Sequence, residues 1–512
     1  MESMPFRKRL SLDNPILLAY GTSLLGVISG LITNLWLLRK VTRVVATTDF
    51  GIYAFVLQIT AYLVVLQLGL DFAASRRIAE CLGRGDPHGA NVAYWEVVRF
   101  NRYAAAIAAI LLIIIAAAFW RGFGFKALAL GKLAVTVAIL TGGTQLIYFL
   151  NRAYAAALIG IQRQSIVNMV TVGNTIGTSL LAYILLRLGL GILCIPVAAF
   201  VFGFPTTIVL AWQSRVRCSW LTSRAPDRDN AAFKSLVSFG GLTTVGGVAW
   251  TIEATSDVII LGALGGTSLV ALYVLWWRFP SMIFDLNTRF VTSAFPTFAE
   301  RHGRSRDDAR RLFNKVGQLT IGLASLSLVG ISLWLPSFIG LWLGSAYNLS
   351  NGKSVALAMA SLIGLRTFGN LFGMFWVARG EARVPVALSC IQAFAKVTLG
   401  LLLTRSLGIT GLLIASCAAS SLPVLALGGM LYRQKFVTTR FARNAIVMVL
   451  IAFAIGVVGC YSELSVSLPL FVAGVGATTL TWLLFWLAVS WQSDLHSNLV
   501  GLVRPASPRI MN

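Results

Sequence analysis

The stretch VALYVLWWRFPSMIFDLNTRF, residues 270–290, is apolar along most of its length but carries Arg278, Asp285 and Arg289. At 100° per residue, these three charges lie within an arc of about 40° on one helical face. A charge at membrane depth costs about 2.5–3.5 kcal/mol on insertion scales. Three charges on one face of an otherwise apolar helix therefore indicate a transmembrane helix that lines a polar cavity.

The rest of the 512-residue chain has the composition of a membrane protein, with 57% hydrophobic and 12% charged residues. A transmembrane helix needs about 20 residues. Eleven stretches without Asp, Glu, Lys or Arg are candidate spans. Three further spans carry internal charges: the Arg278 span, a span near 354–379 with Arg366, and a span near 384–404 with Lys396. We therefore predict an all-α polytopic protein with about 14 transmembrane helices, in a range of 12–14. The uncharged stretches are 14–38, 50–70, 103–120, 133–151, 164–186, 188–214, 235–252, 316–352, 406–432, 444–462 and 464–493.

The net charge of +24 is distributed unevenly between the two sides of the membrane. With an even number of helices and the N-terminus inside, the inner segments hold 29 of the 42 Lys and Arg residues and the outer segments hold 9. This asymmetry satisfies the positive-inside rule and predicts that both termini are cytoplasmic. The basic inner loops are expected to attract membrane lipids with anionic headgroups. No recognition fold for nucleic acid accompanies them, so we expect no nucleic-acid partner.

The segments between spans are too small for a catalytic domain. The loops 71–102 and 291–315 are the longest well-defined ones, and each is predicted to form a short amphipathic helix on the inner membrane surface. The six cysteines form no C-x-x-C pair, and the three histidines lie in predicted inner loops or the tail. No nucleotide-binding or metal-binding motif occurs. We expect no enzymatic activity, no metal site and no cofactor.

The chain contains an internal sequence repeat with an offset of 220 residues. Without gaps, Gly21, Gly26, Thr47 and Tyr53 align with Gly241, Gly246, Thr267 and Tyr273, and the cluster AECLGR at 79–84 aligns with AERHGR at 299–304. Internal repeats are typical of transporters whose substrate site lies between the two halves. Phe50, at the start of the second span, aligns with Val270, so the seventh helix is predicted to extend past Glu253 and Asp257.

Two stretches resemble a known family. They are DFGIYAFVLQITAYLVVLQLGLDFAASRRIAE at 49–80, and SDVIILGALGGTSLVALYVLWWRFPSMIF at 256–284 followed by SAFPTFAE at 293–300. Both are similar to the polysaccharide-biosynthesis flippases, within the superfamily of multidrug, oligosaccharidyl-lipid and polysaccharide exporters. The resemblance implies two six-helix lobes around a central cavity, alternating access, and a place in the bacterial inner membrane. It also implies transfer of an undecaprenyl-pyrophosphate-linked oligosaccharide repeat unit from the inner to the outer leaflet, beside polysaccharide polymerase or export proteins.

The repeat and the resemblance together predict three domains. These are an N-terminal six-helix lobe at 1–225, a C-terminal six-helix lobe at 226–443, and two further transmembrane helices with a cytoplasmic tail at 444–512. The two extra helices resemble those of peptidoglycan lipid-precursor flippases, which remain an alternative. A multidrug cation antiporter and a non-transport membrane scaffold of a polysaccharide synthesis complex are the others. The first lobe has no charge in its six apolar runs, unlike the cation exporters, which usually carry membrane carboxylates there.

An anionic pyrophosphate lipid requires fixed cations in a hydrated cavity. The candidate substrate-binding residues are therefore the charged residues of the second-lobe spans. An ion pair between Arg278 and Asp285, a helix-packing role for Lys396 and an interfacial position for Arg289 remain alternatives. The candidates are Arg278, Asp285, Arg289, Arg366 and Lys396.

Two acidic residues suggest coupling to an ion gradient. Glu253 and Asp257 are four residues apart on one face of the seventh helix, so their carboxylates can approach each other. Like charges in a poorly solvated place bind a proton or recruit Na⁺. The alternative is that both are ordinary solvated acids in the outer headgroup region.

Overall fold

A computed structural model of the chain describes residues 15–67, 70–121, 128–222, 226, 230–461 and 467–491. The two termini, which the charge pattern predicts to be cytoplasmic, lie outside these residues. Every regular element in the described ranges is helical, as predicted. The helices are α1 (Pro15–Val41), α2 (Thr47–Ala61), α3 (Leu70–Gly83), α4 (Pro87–Trp120), α5 (Leu128–Gly160), α6 (Gln164–Arg187), α7 (Cys194–Arg217), α8 (Asn230–Ser293), α9 (Phe295–Arg304), α10 (Arg306–Leu343), α11 (Gly352–Ala378), α12 (Arg383–Arg433), α13 (Thr439–Tyr461) and α14 (Leu468–Trp491).

Twelve helices in the described part of the chain are long and apolar enough to cross a membrane. Two of them have 48 and 51 residues, in α8 and α12, and would measure about 72 and 77 Å as straight helices, more than twice the roughly 30 Å hydrocarbon core. Each is broken at a glycine with positive φ, Gly266 in α8 (79°) and Gly408 in α12 (56°). Counting two crossings for each broken helix gives 14 crossing segments. The predicted polytopic all-α fold is confirmed, and its helix number is consistent with about 14.

The internal repeat is visible in local structure. The α8 break at Gly266 aligns with Ala46, in the turn between α1 and α2. In the first half, Asp86 caps α4 by accepting a hydrogen bond from the Gly89 amide at 2.8 Å. In the second half, Ser305 caps α10 in the same way, from the Asp308 amide at 3.1 Å.

An asparagine–threonine hydrogen-bonded pair, here called a polar clasp, occurs in both halves. The Asn91 side chain of α4 bonds to the hydroxyl and the amide of Thr222, at 2.8 and 3.2 Å. The Asn314 side chain of α10 accepts hydrogen bonds from the amide and hydroxyl of Thr438, at 3.2 and 3.0 Å. Each clasp therefore ties the third crossing helix of its half to the chain that follows the sixth.

The inner loops differ in part from the prediction. The expected short amphipathic helices exist as α3 and α9. However, residues 87–102 and 306–315 are not separate surface helices, because α4 and α10 run on without a break from these residues into their apolar spans. The capping pattern at Ser305 marks the start of a transmembrane helix, which hydropathy alone does not reveal because the first turns of α10 are polar.

The chain divides into two compact units, Met1–Leu272 and Tyr273–Asn512. In the first unit, α5 packs against α2, α3, α4 and α7. Helix α2 also approaches α8 closely: a Cβ added to Gly51 would lie 1.8 Å from the carbonyl oxygen of Thr267, and one added to Gly262 would lie 2.4 Å from the Phe55 ring. The lobe boundaries at 225 and 443 stay predictions.

In the second unit, α10 packs against α9, α11, α13 and α14. Tryptophan side chains fasten α14 to α10. The indole nitrogens of Trp482 and Trp486 donate to the Ser325 hydroxyl at 3.0 Å and to the Gln318 carbonyl at 3.1 Å. The Trp334 indole of α10 donates to the Thr478 hydroxyl at 3.2 Å. The two C-terminal helices are therefore an integral part of the second unit.

Candidate functional site

The second segment of α8 begins after Gly266, and its residues 273–293 are held in the second unit by two polar contacts on their buried side. Trp276 is 1% exposed, donates from its indole nitrogen to the Tyr347 carbonyl at 3.0 Å, and packs against Gly352 so closely that a Cβ there would lie 2.6 Å from the ring. The Asn287 amide donates to the hydroxyls of Ser327 and Thr367 at 3.1 and 3.3 Å. These contacts fix the rotation of the segment and thus the direction of its charged face.

An aromatic platform, formed by Tyr273 and Trp277, precedes Arg278 in α8. Trp277 stacks on Tyr273, with ring centroids 6.3 Å apart and an angle of 5° between the ring planes. The Arg366 guanidinium of α11 lies over the Trp277 ring, 5.2 Å from its centroid. A cation–π contact of this kind contributes about 0.5–2 kcal/mol, and more when it is desolvated. The fold therefore brings Arg366 onto the residue next to Arg278, although the two arginines are far apart in the sequence.

Asp285 and Arg289 lie further along the same segment, and both are exposed. Asp285 is within electrostatic range of Arg289 and Arg278, as the helical spacing predicts. Arg278 itself is half-buried. The charged face thus changes from the half-buried guanidinium of Arg278 to two exposed, oppositely charged side chains nearer the end of α8.

Lys396 has different surroundings. It lies in the first segment of α12 and is 0% exposed, in contrast to the half-buried Arg278 and Arg366. One turn away, the Gln392 amide donates to the Ser420 hydroxyl in the second segment of α12 at 3.2 Å. Burial of a charged ammonium group is costly unless neighbouring groups pair with it or form hydrogen bonds to it. The burial favours the alternative that Lys396 packs helices, and its role in substrate binding stays a prediction.

Glu253 and Asp257 lie in the first segment of α8, which continues to Gly266 as the repeat predicts. Glu253 is 6% exposed and Asp257 is 2% exposed, and the neighbouring Thr255 and Ser256 are buried as well. Protein atoms therefore enclose both carboxylates, which does not favour the alternative of ordinary solvated acids. These acids belong to the first compact unit, whereas Arg278 and Arg366 belong to the second.

The sequence did not reveal the polar network of the first unit. The Asn174 amide nitrogen donates to the Tyr148 hydroxyl at 3.2 Å, and its oxygen accepts from the Thr206 hydroxyl at 3.0 Å. The Asn168 amide donates to the Thr22 hydroxyl at 3.1 Å. This network joins uncharged side chains from four helices. The recurrence of Asn and Thr at helical spacing along α6 was the only sign of it in the sequence.

Comparison with known proteins identifies relatives of the chain. A profile of the family described as polysaccharide biosynthesis protein matches residues 17–302, more than half of the chain. No curated protein sequence matches this chain.

Several solved transporter structures are similar to it. A structure of the lipid II flippase MurJ in an inward closed conformation has a TM-score of 0.70 and 14% identity, over 94% of this chain and 100% of that one. An inward-facing multidrug resistance MATE family transporter of the MOP superfamily has a TM-score of 0.60 and 16% identity, over 81% and 100%. A MOP superfamily transporter from Pyrococcus furiosus, described by a reversed polarity of its binding pocket, has a TM-score of 0.61 and 16% identity, over 85% and 100%. At such low identity these likenesses establish the fold.

Proposed function

Because the chain belongs to the polysaccharide biosynthesis protein family and has the fold of MOP superfamily transporters, we propose that it is a lipid-linked oligosaccharide flippase. Its substrate is an undecaprenyl-pyrophosphate-linked repeat unit, moved from the inner to the outer leaflet by alternating access. The observation that carries this proposal is the position of the Arg366 guanidinium over Trp277, the residue that precedes Arg278 in the charged segment of α8. The flippase needs no catalytic step and no cofactor.

The two guanidinium groups suit a pyrophosphate. A guanidinium forms two parallel hydrogen bonds to phosphate oxygens, and such charge-assisted bonds are about twice as strong as neutral ones. The Trp277 ring restricts the orientation of Arg366. A restricted side chain loses less conformational freedom when it binds, so the stacked arginine is suited to anion capture. Arg289 and Asp285 follow as an exposed pair toward the end of the segment, where they can meet the polar part of the cargo.

A transport assay discriminates between the possible functions. Vesicles containing the purified protein and a fluorescent undecaprenyl-pyrophosphate oligosaccharide in one leaflet are expected to lose accessible fluorescence as the lipid crosses. The same vesicles are loaded in parallel with a labelled peptidoglycan lipid precursor and with a cationic dye. Exclusive movement of the precursor would establish the alternative that the C-terminal helices α13 and α14 favour. Movement of the dye alone would indicate an antiporter, and no movement of any probe would indicate a scaffold.

The chain is a multi-pass membrane protein. We propose that it resides in the bacterial inner membrane with both termini cytoplasmic, because the basic residues concentrate in the segments on that side. This orientation puts α3 and α9 on the cytoplasmic side. Polysaccharide polymerase and export proteins are the expected neighbours of a flippase that delivers repeat units.

Glu253 and Asp257 are proposed as the ion-coupling site. Two carboxylates on one helical face and enclosed by protein repel each other, and binding of H⁺ or Na⁺ relieves that repulsion. We expect the double variant Glu253→Gln/Asp257→Asn to lose most of the acceleration that an imposed H⁺ or Na⁺ gradient gives to transport in vesicles. Asp307→Asn, at an exposed position near the start of α10, is the matched control. If the double variant responds to both gradients as the parent protein does, coupling resides elsewhere.

A further inference from the structure

An apolar groove runs between the C-terminal half of α4 and the N-terminal half of α5. Its volume is about 650 Å³, within the roughly 300–1,000 Å³ range of small-molecule sites. It lies entirely in the first compact unit, whereas the charged face of α8 belongs to the second. Its walls are almost wholly apolar and include Ala109, Leu112, Ile113, Ala116, Val135 and Ile139.

The groove has the length of one membrane leaflet. From Ala109 to Arg121 the axis of α4 rises about 18 Å, slightly more than half of the roughly 30 Å hydrocarbon core. The two helices meet closely near both ends of this interval: a Cβ on Gly131 would lie 3.1 Å from the Phe119 carbonyl oxygen, and one on Gly142 would lie 2.3 Å from the Leu112 side chain. The space between these contacts matches an extended chain that descends from the membrane surface toward the midplane.

Two cations lie at the end of the groove near the membrane surface. Arg121, at the C-terminus of α4, is part of its lining. Lys132 is exposed and lies three residues before Val135, on the same face of α5 as the lining residues Val135 and Ile139. Trp120 lies beside Arg121 and is 57% exposed, the position of an interfacial tryptophan. Because the sequence contains no Asp or Glu from 97 to 226, no acid within this stretch neutralises the two cations.

We propose that this groove binds an anionic glycerophospholipid, with one acyl chain in the groove and the phosphate between Arg121 and Lys132. Apolar walls alone would accept any membrane lipid. The basic pair distinguishes an anionic headgroup from a zwitterionic one, whose ammonium group the two cations repel. The bound lipid fills the gap between α4 and α5 and so stabilises their packing. This inference does not depend on the cargo of the flippase.

Native mass spectrometry of the full-length protein, washed in detergent, tests the proposal. Titration with phosphatidylglycerol and phosphatidylcholine of identical acyl chains is expected to show at least about tenfold tighter binding of phosphatidylglycerol, since each basic side chain near the surface contributes about a fivefold gain. Arg121→Ala and Lys132→Ala are each expected to weaken phosphatidylglycerol binding about fivefold. Arg187→Ala, an exposed cation at the end of α6, is the matched control and leaves the binding unchanged.

Two further experiments distinguish the contribution of the headgroup from that of the acyl chain. Glycerol phosphate, the headgroup without acyl chains, is expected to compete poorly, and Ala116→Phe is expected to abolish lipid binding by filling the groove while both cations remain. Equal binding of the two lipids, full competition by glycerol phosphate, or tighter binding of undecaprenyl phosphate than of phosphatidylglycerol would each overturn the proposal. If a variant fails to insert, the selectivity of the parent protein between the two lipids still decides.

Discussion

Replacement of Arg278 by alanine is expected to abolish transport of the lipid-linked oligosaccharide while the protein remains inserted and folded. Arg278 is half-buried and follows Trp277, the residue on which Arg366 stacks, so in the proposed function its loss removes charge-assisted hydrogen bonds to the pyrophosphate from a poorly solvated site. Truncation of one partner in a buried, hydrogen-bonded charge pair costs about 2–5 kcal/mol. Transport measured in vesicles should therefore fall by a factor of about 30 or more.

Two companion variants make the Arg278 experiment specific. Arg278→Lys retains the charge but loses the bidentate geometry, so it should keep part of the activity. Arg405→Ala removes an exposed cation from α12 of the same compact unit and should leave transport unchanged. Full activity of the alanine variant at the normal expression level would exclude Arg278 from the substrate site.

The second large effect is expected from Gly51→Ala in α2. The new Cβ would lie 1.8 Å from the carbonyl oxygen and 2.5 Å from the carbonyl carbon of Thr267, next to the break in α8 at Gly266. Backbone atoms cannot rotate away as a flexible side chain does, so α2 and α8 must separate. Overpacking of this kind costs about 1–3 kcal/mol and occasionally more. We expect a marked fall in the yield of folded protein, a lower Tm and little transport.

Gly30→Ala in α1 is the matched control for this substitution. Apart from the nearby backbone of α1 itself, a Cβ at Gly30 would have no heavy atom within 4 Å, so the same chemical change in another transmembrane helix should be tolerated. Fluorescence-detected size-exclusion chromatography after heating gives the Tm of both variants. A Tm of Gly51→Ala equal to that of Gly30→Ala would show that α2 and α8 do not approach each other as closely as the structure indicates.

Local patterns in the sequence predict the helical architecture. Hydropathy over about 20 residues indicates which segments enter the membrane, because each residue contributes to insertion largely independently of its distant neighbours. The alignment of Phe50 with Val270 correctly extended the seventh helix past Glu253, where hydropathy alone permitted an earlier end. The helical period put Arg278, Asp285 and Arg289 on one face, which the electrostatic proximity of Asp285 to both arginines supports.

The environment of each candidate residue was not predictable in the same way. Lys396 and Arg366 look alike in the sequence, as single cations within apolar spans, but the fold encloses Lys396 completely and stacks Arg366 on an aromatic ring. The pairing of Trp277 with Arg366 joins residues on α8 and α11. Hydropathy and period describe a helix along its own axis, and neither says which other helix lies against a given face.

The sequence by itself determined that this protein is an all-helical polytopic membrane transporter, where its spans lie and which faces carry charge, since these depend on the cost of moving each segment from water into lipid. Only the tertiary structure decided that Arg366 stacks on an aromatic ring, that Lys396 is enclosed by the protein, and that α2 and α8 touch at Gly51. Those outcomes depend on packing between side chains that are tens to hundreds of residues apart. Packing is set by the shape complementarity of all helices at once, which local sequence does not contain.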